Sequence, residues 1–301
     1  MRVVVALGGN ALLKRGESPD ARTQEDNVRR AVTSIAELAR HHDVVLTHGN
    51  GPQVGLLALE SEHDGSLTVP FPLDVLGAET EGMVGYWLQR ELTNALPGRE
   101  IVTVLTQTVV DRHDPAFSNP AKFIGQVYDE PTARRTAAEL GWTVRRDGAF
   151  WRRVVPSPAP VEFIELGSIK TLVDSGTVVI CAGGGGVPVI RNGQALEGVE
   201  AVVDKDRAAA LLARNLGADV LLLLTDVPAV AVGFGTPQER PLARVTAGEL
   251  RGMTFAAGSM APKVEAACEF VEAGGRFAAI GALDRAHELS TGTTGTVVVR
   301  E

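Results

Sequence analysis

Short, largely apolar segments that each end at a glycine cluster constrain the fold of this chain more than any other feature. Three such pairs of segment and cluster are residues 3–7 before Gly8-Gly9-Asn10, residues 44–47 before His48-Gly49-Asn50-Gly51-Pro52, and residues 177–181 before residues 183–186. An apolar run of this length without polar alternation is typical of a strand that is buried on both faces. These segments therefore predict a parallel sheet whose connecting loops contain glycine.

Helical periodicity fills most of the chain between the strand segments. We predict helices over residues 23–39, 162–173, 206–216 and 263–272. Further strands are predicted over residues 101–110, 219–225 and 276–280, with residues 297–299 as an edge strand. Gly217 follows one helical pattern at the position where glycine commonly ends a helix. Strands that alternate with helices predict an α/β fold with a mostly parallel, open sheet covered on both faces.

Residues 111–160 break this alternation. The segment is polar and rich in arginine and proline, and it carries a hairpin signal at Asp147-Gly148, between predicted strands over residues 143–146 and 150–155. We interpret it as a small subdomain that protrudes from the main sheet. It is inserted within a single domain that spans residues 1–301.

Composition excludes several classes of protein. The formal net charge is −8 and no block rich in lysine and arginine stands out, which argues against a nucleic-acid partner. The apolar run at residues 3–7 is too short for a signal peptide or a membrane span, and no other uninterrupted segment reaches spanning length. Two distant cysteines, Cys181 and Cys268, are typical of buried thiols in a reducing cytosol. We therefore expect a cytoplasmic protein without a membrane partner.

The glycine clusters indicate a phosphate site. In an open parallel sheet, ligands bind outside the carboxyl ends of the strands, and glycine lets backbone N–H groups converge on an anion. A fourth cluster, Gly258-Ser259, precedes a helical pattern. None of the clusters matches the P-loop pattern, and the first does not match the dinucleotide-binding pattern. Any one cluster has a tight turn as its alternative explanation, so the prediction depends on their convergence.

Two lysines near predicted helix starts are candidates for stabilising transferring phosphoryl oxygens. They are Lys205 and Lys263, the second preceded by Pro262, a residue that suits a first helical turn. Asp204 and Asp206 flank Lys205, and one is expected to orient the lysines or contact Mg²⁺ while the other caps the helix. The sequence leaves open which carboxylate has which role. His48 is not expected to act as a base, because phosphoryl transfer to an acidic oxygen needs none.

Over nearly its whole length the chain resembles the carbamate kinases of the amino acid kinase family. The segments that carry the resemblance are residues 6–12, 48–55, 119–125, 154–158, 183–188, 198–206 and 258–266. The Gly-Gly-Asn start, the Pro-Gln-Val-Gly run at residues 52–55 and the insert that contains Lys122 are similar to features specific to carbamate kinases. The strand at residues 219–225 is similar to one shared by the wider family.

This resemblance implies a three-layer α/β/α sandwich, a homodimer, and phosphoryl transfer between carbamoyl phosphate and ADP with Mg²⁺ and ATP/ADP. It also implies that residues 111–160 form a lid over the carbamoyl phosphate site. The implied phosphoryl-binding residues are Gly8, Gly9, Asn10, Gly49, Asn50 and Gly51. The implied charged residues are Lys205 and Lys263, with Asp204 or Asp206 orienting them and Lys122 reaching in from the lid.

For the nucleotide, the resemblance implies that residues 227–237 lie beside the adenine. The implied nucleotide-binding residues are Thr225, Asp226, Phe234, Met260 and Pro262. Phe234 stands where the family often has tyrosine. The change keeps the packing of a ring but removes a hydroxyl contact.

Two alternatives to a carbamate kinase remain, one an enzyme and one a protein without catalytic activity. One is another kinase of the same family, acting on acetylglutamate, glutamate, aspartate or UMP, but those kinases usually carry lysine in the first glycine cluster, where this chain has Asn10. The other is a non-catalytic nucleotide-sensing module. The joint presence of Asn10, Lys122, Lys205, Asp206 and Lys263 argues against it.

Overall fold

Helices and strands alternate along most of the chain in the computed structural model, which describes residues 1–14, 16–255 and 260–301, and only the backbone of Asn10. The α-helices are α1 (Ala21–His41), α2 (Gly51–His63), α3 (Leu73–Ala95), α4 (Glu130–Leu140), α5 (Leu166–Asp174), α6 (Lys205–Asn215), α7 (Ala247–Arg251), α8 (Met260–Glu272) and α9 (Ala286–Thr291). The strands are β1 (Arg2–Leu7), β2 (Asp43–His48), β3 (Ile101–Val104), β4 (Gln107–Val110), β5 (Lys122–Tyr128), β6 (Thr143–Asp147), β7 (Phe150–Val155), β8 (Pro160–Phe163), β9 (Val178–Cys181), β10 (Val187–Asn192), β11 (Ala195–Gly198), β12 (Val220–Thr225), β13 (Ala231–Val232), β14 (Arg240–Pro241), β15 (Arg244–Thr246), β16 (Phe277–Ala282) and β17 (Thr296–Val299).

The main sheet has eight strands in the order β15-β17-β16-β12-β1-β2-β9-β3. Every neighbouring pair runs parallel except β16 and β17, which are antiparallel. In the central strand β1, residues 3–7 pair with both β12 and β2, so that Leu7 lies beside Leu224 and His48. The carboxyl ends of β12, β1 and β2 therefore meet at one edge of the sheet.

Alternate residues of β1 pack into two separate cores. Val3, Val5 and Leu7 belong to a cluster with apolar residues of α1, α3 and α9. Val4 and Ala6 belong to a second cluster with residues of α5, α6, α7 and α8. Because the side chains of a strand alternate between faces, these clusters lie on opposite sides of the sheet. The predicted three-layer α/β/α sandwich with a mostly parallel open sheet is confirmed.

Three further sheets lie outside the main one in the described residues, and the smallest is the antiparallel pair of β13 and β14. β11, β10, β4 and β8 form a four-stranded sheet, and β5, β7 and β6 form a three-stranded sheet within residues 111–160. The predicted hairpin is present, with β6 and β7 paired antiparallel across a turn in which Gly148 has a φ of 62°. Helix α4, which the sequence analysis did not predict, packs against β7 and β6 of this unit.

Two strand predictions were wrong in detail. Residues 101–110 form two strands, because Leu105 and Thr106 interrupt the extended run and β4 leaves the main sheet to pair with β10. β17 is not an edge strand, since β15 pairs with it in parallel and takes the outer position. Both differences arise from partners distant in the sequence, which an apolar run does not encode.

The predicted helix over residues 162–173 was also wrong at its start. Residues 160–163 instead form β8, which pairs antiparallel with β4, and the helix begins at Leu166. Glu165, just before the helix, accepts a hydrogen bond from the backbone N–H of Gln107 at 2.8 Å. Pairing with β4 therefore overrides the weak helical pattern of these residues.

The structure also bears on the cysteines and on membrane insertion. Cys181 and Cys268 are both free and buried. Among the described residues, no helix is long and apolar enough to traverse a bilayer.

Candidate active site

Glycine-rich loops follow three neighbouring strands of the main sheet. Gly8 comes directly after β1, Gly49 directly after β2, and residues 183–186 shortly after β9. β12, on the other side of β1, ends at Thr225. Since these strands are parallel, their loops open at the same edge, where ligands bind in sheets of this kind. The predicted convergence of the three loops is therefore present, whereas Gly258 and Ser259 of the fourth lie outside the described residues.

The loops approach one another too closely for larger residues. A Cβ atom on Gly49 would lie 2.9 Å from the backbone nitrogen of Gly9, and a Cβ on Gly8 would lie 3.1 Å from the carbonyl oxygen of Leu224. The Gly49 N–H donates to the Leu7 carbonyl at 2.9 Å, which joins the two loops. Glycine is thus needed at Gly49 for close approach of two backbones.

Helix α2 starts at this edge, directly after the second loop. It begins at Gly51 with Pro52 in its first turn, and its N-cap residue is Asn50. The Asn50 side chain makes no capping hydrogen bond, but donates through Nδ2 to the Thr80 hydroxyl of α3 at 2.8 Å. Among the side chains that the structure describes, none caps the first N–H groups of α2, and together with the positive end of the helix dipole these groups suit an anion.

A buried ion triad lies beside these loops. Lys205 Nζ contacts Asp206 Oδ1 at 2.5 Å, and Lys263 Nζ contacts Asp206 Oδ2 at 3.1 Å. The exposed fractions of the three side chains are 11%, 12% and 5% for Lys205, Lys263 and Asp206. The aliphatic stem of Lys205 reaches the second loop, since a Cβ on Gly49 would lie 3.4 Å from its Cδ. The two predicted lysines are therefore held side by side by one carboxylate.

The geometry distinguishes the two aspartates, which sequence alone left open. Asp204 is the N-cap of α6 and accepts from the backbone N–H groups of Asp206 at 2.9 Å and Arg207 at 3.2 Å. Its second oxygen accepts a hydrogen bond from Lys122 Nζ. Asp206 contacts Lys205 and Lys263, so it is the carboxylate placed to orient that pair. Asp204 instead joins the start of α6 to β5.

The charges in the cluster stabilise one another against burial. Burial alone raises the pKa of Asp206, but the ammonium groups of Lys205 and Lys263 outweigh it and hold the pKa below its ordinary value. For Asp204 the opposing charges are Lys122 and Lys205, with the same result for its pKa. Burial, helped by the nearby Lys263 charge, lowers the pKa of Lys205 to about 8, against the opposing pull of the carboxylates. For Lys263, Asp206 outweighs burial and raises the pKa.

At neutral pH the site carries an excess of positive charge. Three ammonium groups face two carboxylates, which leaves one net positive charge in a largely buried position. The chain contains five lysines, and three of them meet here. Positive charge fixed in place before the reaction, in a site of low dielectric, is the arrangement that stabilises the oxygens of a transferring phosphoryl group.

A large cavity of about 1010 Å³ opens next to the loops. Four of the predicted nucleotide-binding residues line it, namely Thr225, Asp226, Phe234 and Met260, whereas Pro262 is not among its lining residues. Phe234 is 69% exposed, so its ring is available to a ligand. Gly125 and Arg152 of the three-stranded sheet form part of the wall. The cavity therefore lies between the main body and the segment predicted as a lid.

Asn10 completes the list of predicted residues, and the structure describes only its backbone. It lies in a short 3₁₀ helix, Gly9–Ala11, directly after the first loop. Its predicted role thus stays a prediction.

No protein cage for Mg²⁺ exists in the described parts of the chain, since they contain no cluster of three or more acidic, histidine or cysteine ligands. Both oxygens of Asp206 are engaged by lysines, and Asp204 is engaged by Lys122 and the helix backbone. Mg²⁺ usually reaches such sites on substrate phosphates, with one or two carboxylates and several waters as its other ligands. A metal here would therefore take most of its ligands from bound phosphates and water.

Two buried polar residues lie behind the loops, and the sequence analysis identified only one of them, His48. Glu81 of α3 accepts from the Gly183 N–H at 2.9 Å, and no local pattern marks it. His48 is fully buried, which lowers its pKa to about 4, so that the ring is neutral and shielded from substrate. The expectation that His48 is not a base agrees with this position.

The sequence matches a family model along most of its length. The model of the amino acid kinase family matches residues 1–281. The chain belongs to the amino acid kinase family. A carbamate kinase of Rhizobium meliloti is 52% identical over 305 residues, which cover 99% of this chain and 93% of the relative.

Solved structures of members of this family give the same result for the fold. Two structures of the carbamate kinase of Giardia lamblia are 41% identical to this chain and cover all of it and 98% of their own chains. The TM-scores are 0.94 for the structure with citric acid and 0.90 for the structure with AMP-PNP. The chain therefore has the fold of this family, and its sequence identifies it as a phosphotransferase.

Proposed function

We propose that this protein is a carbamate kinase that moves a phosphoryl group reversibly between carbamoyl phosphate and ADP, giving carbamate and ATP. The observation that carries the proposal is the 52% sequence identity to a carbamate kinase, which extends over 99% of this chain. The lysine–aspartate cluster beside three glycine loops supports it independently, because phosphoryl transfer depends on positioning and on fixed positive charge. An acetylglutamate or UMP kinase and a nucleotide-sensing module are the alternatives.

In this reaction the P–O bond of carbamoyl phosphate breaks and a P–O bond to a terminal oxygen of ADP forms. The attacking oxygen of ADP and the leaving oxygen of carbamate both belong to acidic groups, so the protein does not have to supply a general base. Backbone N–H groups of Gly9 and Gly51 hold the moving group, and the ammonium groups of Lys205 and Lys263 stabilise its charge. Gly49 shapes the second loop, since its own N–H donates to the Leu7 carbonyl. Asp206 keeps these two ammonium groups in place, and Mg²⁺ on the nucleotide phosphates supplies further positive charge.

Lys122 contributes from the three-stranded sheet, which we propose to act as a lid over carbamoyl phosphate. It contacts Asp204, and the same sheet forms part of the cavity wall through Gly125 and Arg152. The cavity takes the nucleotide, with Phe234 against the base; the AMP-PNP complex of the Giardia lamblia enzyme supports a nucleotide ligand. A homodimer, a cytoplasmic location and a role in arginine metabolism complete the proposal.

The substrate assignment predicts a narrow acceptor range. With MgATP as the donor, carbamate should be phosphorylated, while acetylglutamate and UMP should give no ADP above background. The physical basis is Asn10 in place of a first-loop lysine, together with the insert that carries Lys122. ADP release by a coupled assay measures all three. Robust phosphorylation of acetylglutamate without carbamate turnover would replace this proposal, and nucleotide binding without any turnover would favour the sensing module.

The lowered pKa of Lys205 predicts an alkaline limb in the pH profile. Since burial brings that pKa to about 8, the free enzyme should lose the Lys205 charge, and with it kcat/KM, as pH rises through about 8. Bound phosphates favour the charged form, so kcat should decline at a higher pH than kcat/KM. Initial rates between pH 6 and about 10 provide the test. A kcat/KM that does not change with pH would show either that Lys205 keeps its proton over this range or that its charge does not contribute to catalysis.

A further inference from the structure

The third glycine loop is held by a buried carboxyl group of α3. Glu81, 1% exposed, accepts from the Gly183 N–H through Oε1 at 2.9 Å and from the Thr106 N–H through Oε2 at 3.3 Å. Ala182, just before Gly183, has a φ of 50°, in the left-handed region that disfavours any residue with a Cβ. Such a conformation persists only when its surroundings determine it.

Hydrogen bonds from three parts of the chain hold Ala182 in this left-handed conformation. The Ala182 N–H donates to the Thr106 hydroxyl at 2.9 Å, and the Thr47 hydroxyl of β2 donates to the Ala182 carbonyl at 2.6 Å. Glu81 of α3 adds the bond to the next residue, Gly183. The loop that starts here is therefore fixed at its first two residues before it reaches the site.

The front of the same loop touches two parts of the proposed machinery. A Cβ on Gly184 would collide with the side chain of Asn50, and a Cβ on Gly185 would lie 2.5 Å from the carbonyl oxygen of Val203. Val203 directly precedes Asp204 and the start of α6 at Lys205. A shift of the loop would thus displace the Asn50 loop and the Lys205 ammonium group relative to each other.

We propose that Glu81 is a positioning residue for phosphoryl transfer, which holds residues 182–186 so that Asn50 and Lys205 are aligned on the same phosphoryl group. This inference rests on the proposed function. Glu81 reaches no substrate and acts through the Gly183 backbone. Its contribution is the acceptor oxygen that this buried N–H group needs, since an unpaired buried N–H would pull the loop out of place.

The surroundings of Glu81 identify glutamine as its conservative replacement. Burial raises the pKa of Glu81 to about 8, against its hydrogen bonds, so the carboxyl group is largely neutral at pH 7. The titratable groups facing it are Glu165 before α5, the neutral His48 of β2 and the Cys181 thiol of β9. Among the described residues no cation pairs with it. A glutamine keeps the acceptor oxygen and the neutral state, whereas a methionine of similar length offers no acceptor.

Steady-state kinetics of Glu81→Gln and Glu81→Met test the inference, with the exposed Glu79→Gln on the same helix as the control. ATP formation from carbamoyl phosphate and ADP is measured per folded molecule, with the folded fraction taken from thermal unfolding. Glu81→Met should lose about 10²-fold in kcat, the scale expected for a small misplacement of reacting groups. Its KM for ADP should stay within about threefold of the parent value, because the cavity is untouched. Glu81→Gln and Glu79→Gln should keep most of the parent kcat.

Equal kcat values in Glu81→Met and Glu81→Gln would overturn the inference, because the acceptor oxygen would then make no difference. If Glu81→Met does not fold, the pair Thr106→Val and Thr106→Ser decides the same point, since only serine keeps the hydroxyl that accepts from Ala182. A slower valine variant supports the positioning network, and equal rates overturn it. An inactive parent protein would overturn the proposed function itself, which separates the two failures.

Discussion

Replacing Lys263 with alanine is expected to lower turnover by about 10²- to 10⁴-fold, the range for loss of a preorganised charge that acts on the transition state. Lys263 Nζ lies 3.1 Å from Asp206, and its side chain is only 12% exposed. Its position is fixed before the substrate binds, so its charge costs no reorganisation during the reaction. The loss should therefore appear in kcat and in kcat/KM alike.

The variant should still fold, because Asp206 keeps its contact with Lys205 at 2.5 Å and is not left unpaired. Lys170→Ala on the exposed face of α5 is the matched control, and it should leave both turnover and stability unchanged. Circular dichroism and thermal unfolding check the fold of both variants. Near-normal turnover in Lys263→Ala would mean that this lysine serves only the ion triad and not the chemistry.

Replacing Lys122 with alanine is expected to weaken the use of carbamoyl phosphate far more than the binding of ADP. Lys122 lies at the start of β5, in the unit that we propose as a lid, and contacts Asp204. A charged hydrogen bond contributes about 1.5–3 kcal/mol, so kcat/KM for carbamoyl phosphate should fall by roughly 10- to 100-fold. A closed lid also excludes water, which strengthens the remaining charge interactions and protects an acyl phosphate from hydrolysis.

Separate KM values for the two substrates provide the measurement. Asp204 still caps α6 in this variant through the N–H groups of Asp206 and Arg207, so the site itself should stay assembled. Lys122→Arg, which retains a positive charge, should recover part of the loss. Small and equal effects on carbamoyl phosphate and ADP would identify Lys122 as a solvated loop charge.

Local sequence was enough to place the loops of the site. The apolar run that becomes β1 predicts a buried strand, and the glycines that follow it predict the close approach of backbones at its end. Gly217 has a φ of 61° directly after α6 and its C-cap Leu216, as its position after the helical pattern predicted. These features depend on residues that are neighbours in the chain, so a pattern within a short window reveals them.

Contacts between distant segments could not be predicted in this way. The pairing of Lys122 with Asp204 joins residues 82 positions apart, and the bond from Gly183 to Glu81 joins residues 102 positions apart. Glu81 sits inside the long helix α3, and neither the neighbouring Gly82 nor the nearby Glu79 forms a pattern that marks a site. The break at Leu105 and Thr106 depends on the choice of two different partner strands. Such features follow from tertiary packing.

The most direct test of the central claim is ATP formation from ADP and carbamoyl phosphate, followed by a coupled assay on the purified protein with Mg²⁺. We expect ATP to accumulate in step with loss of carbamoyl phosphate, and to stop when either substrate or Mg²⁺ is withheld. Lys263→Ala serves as the matched inactive control. A folded protein that binds ADP yet forms no ATP from carbamoyl phosphate would contradict the assignment.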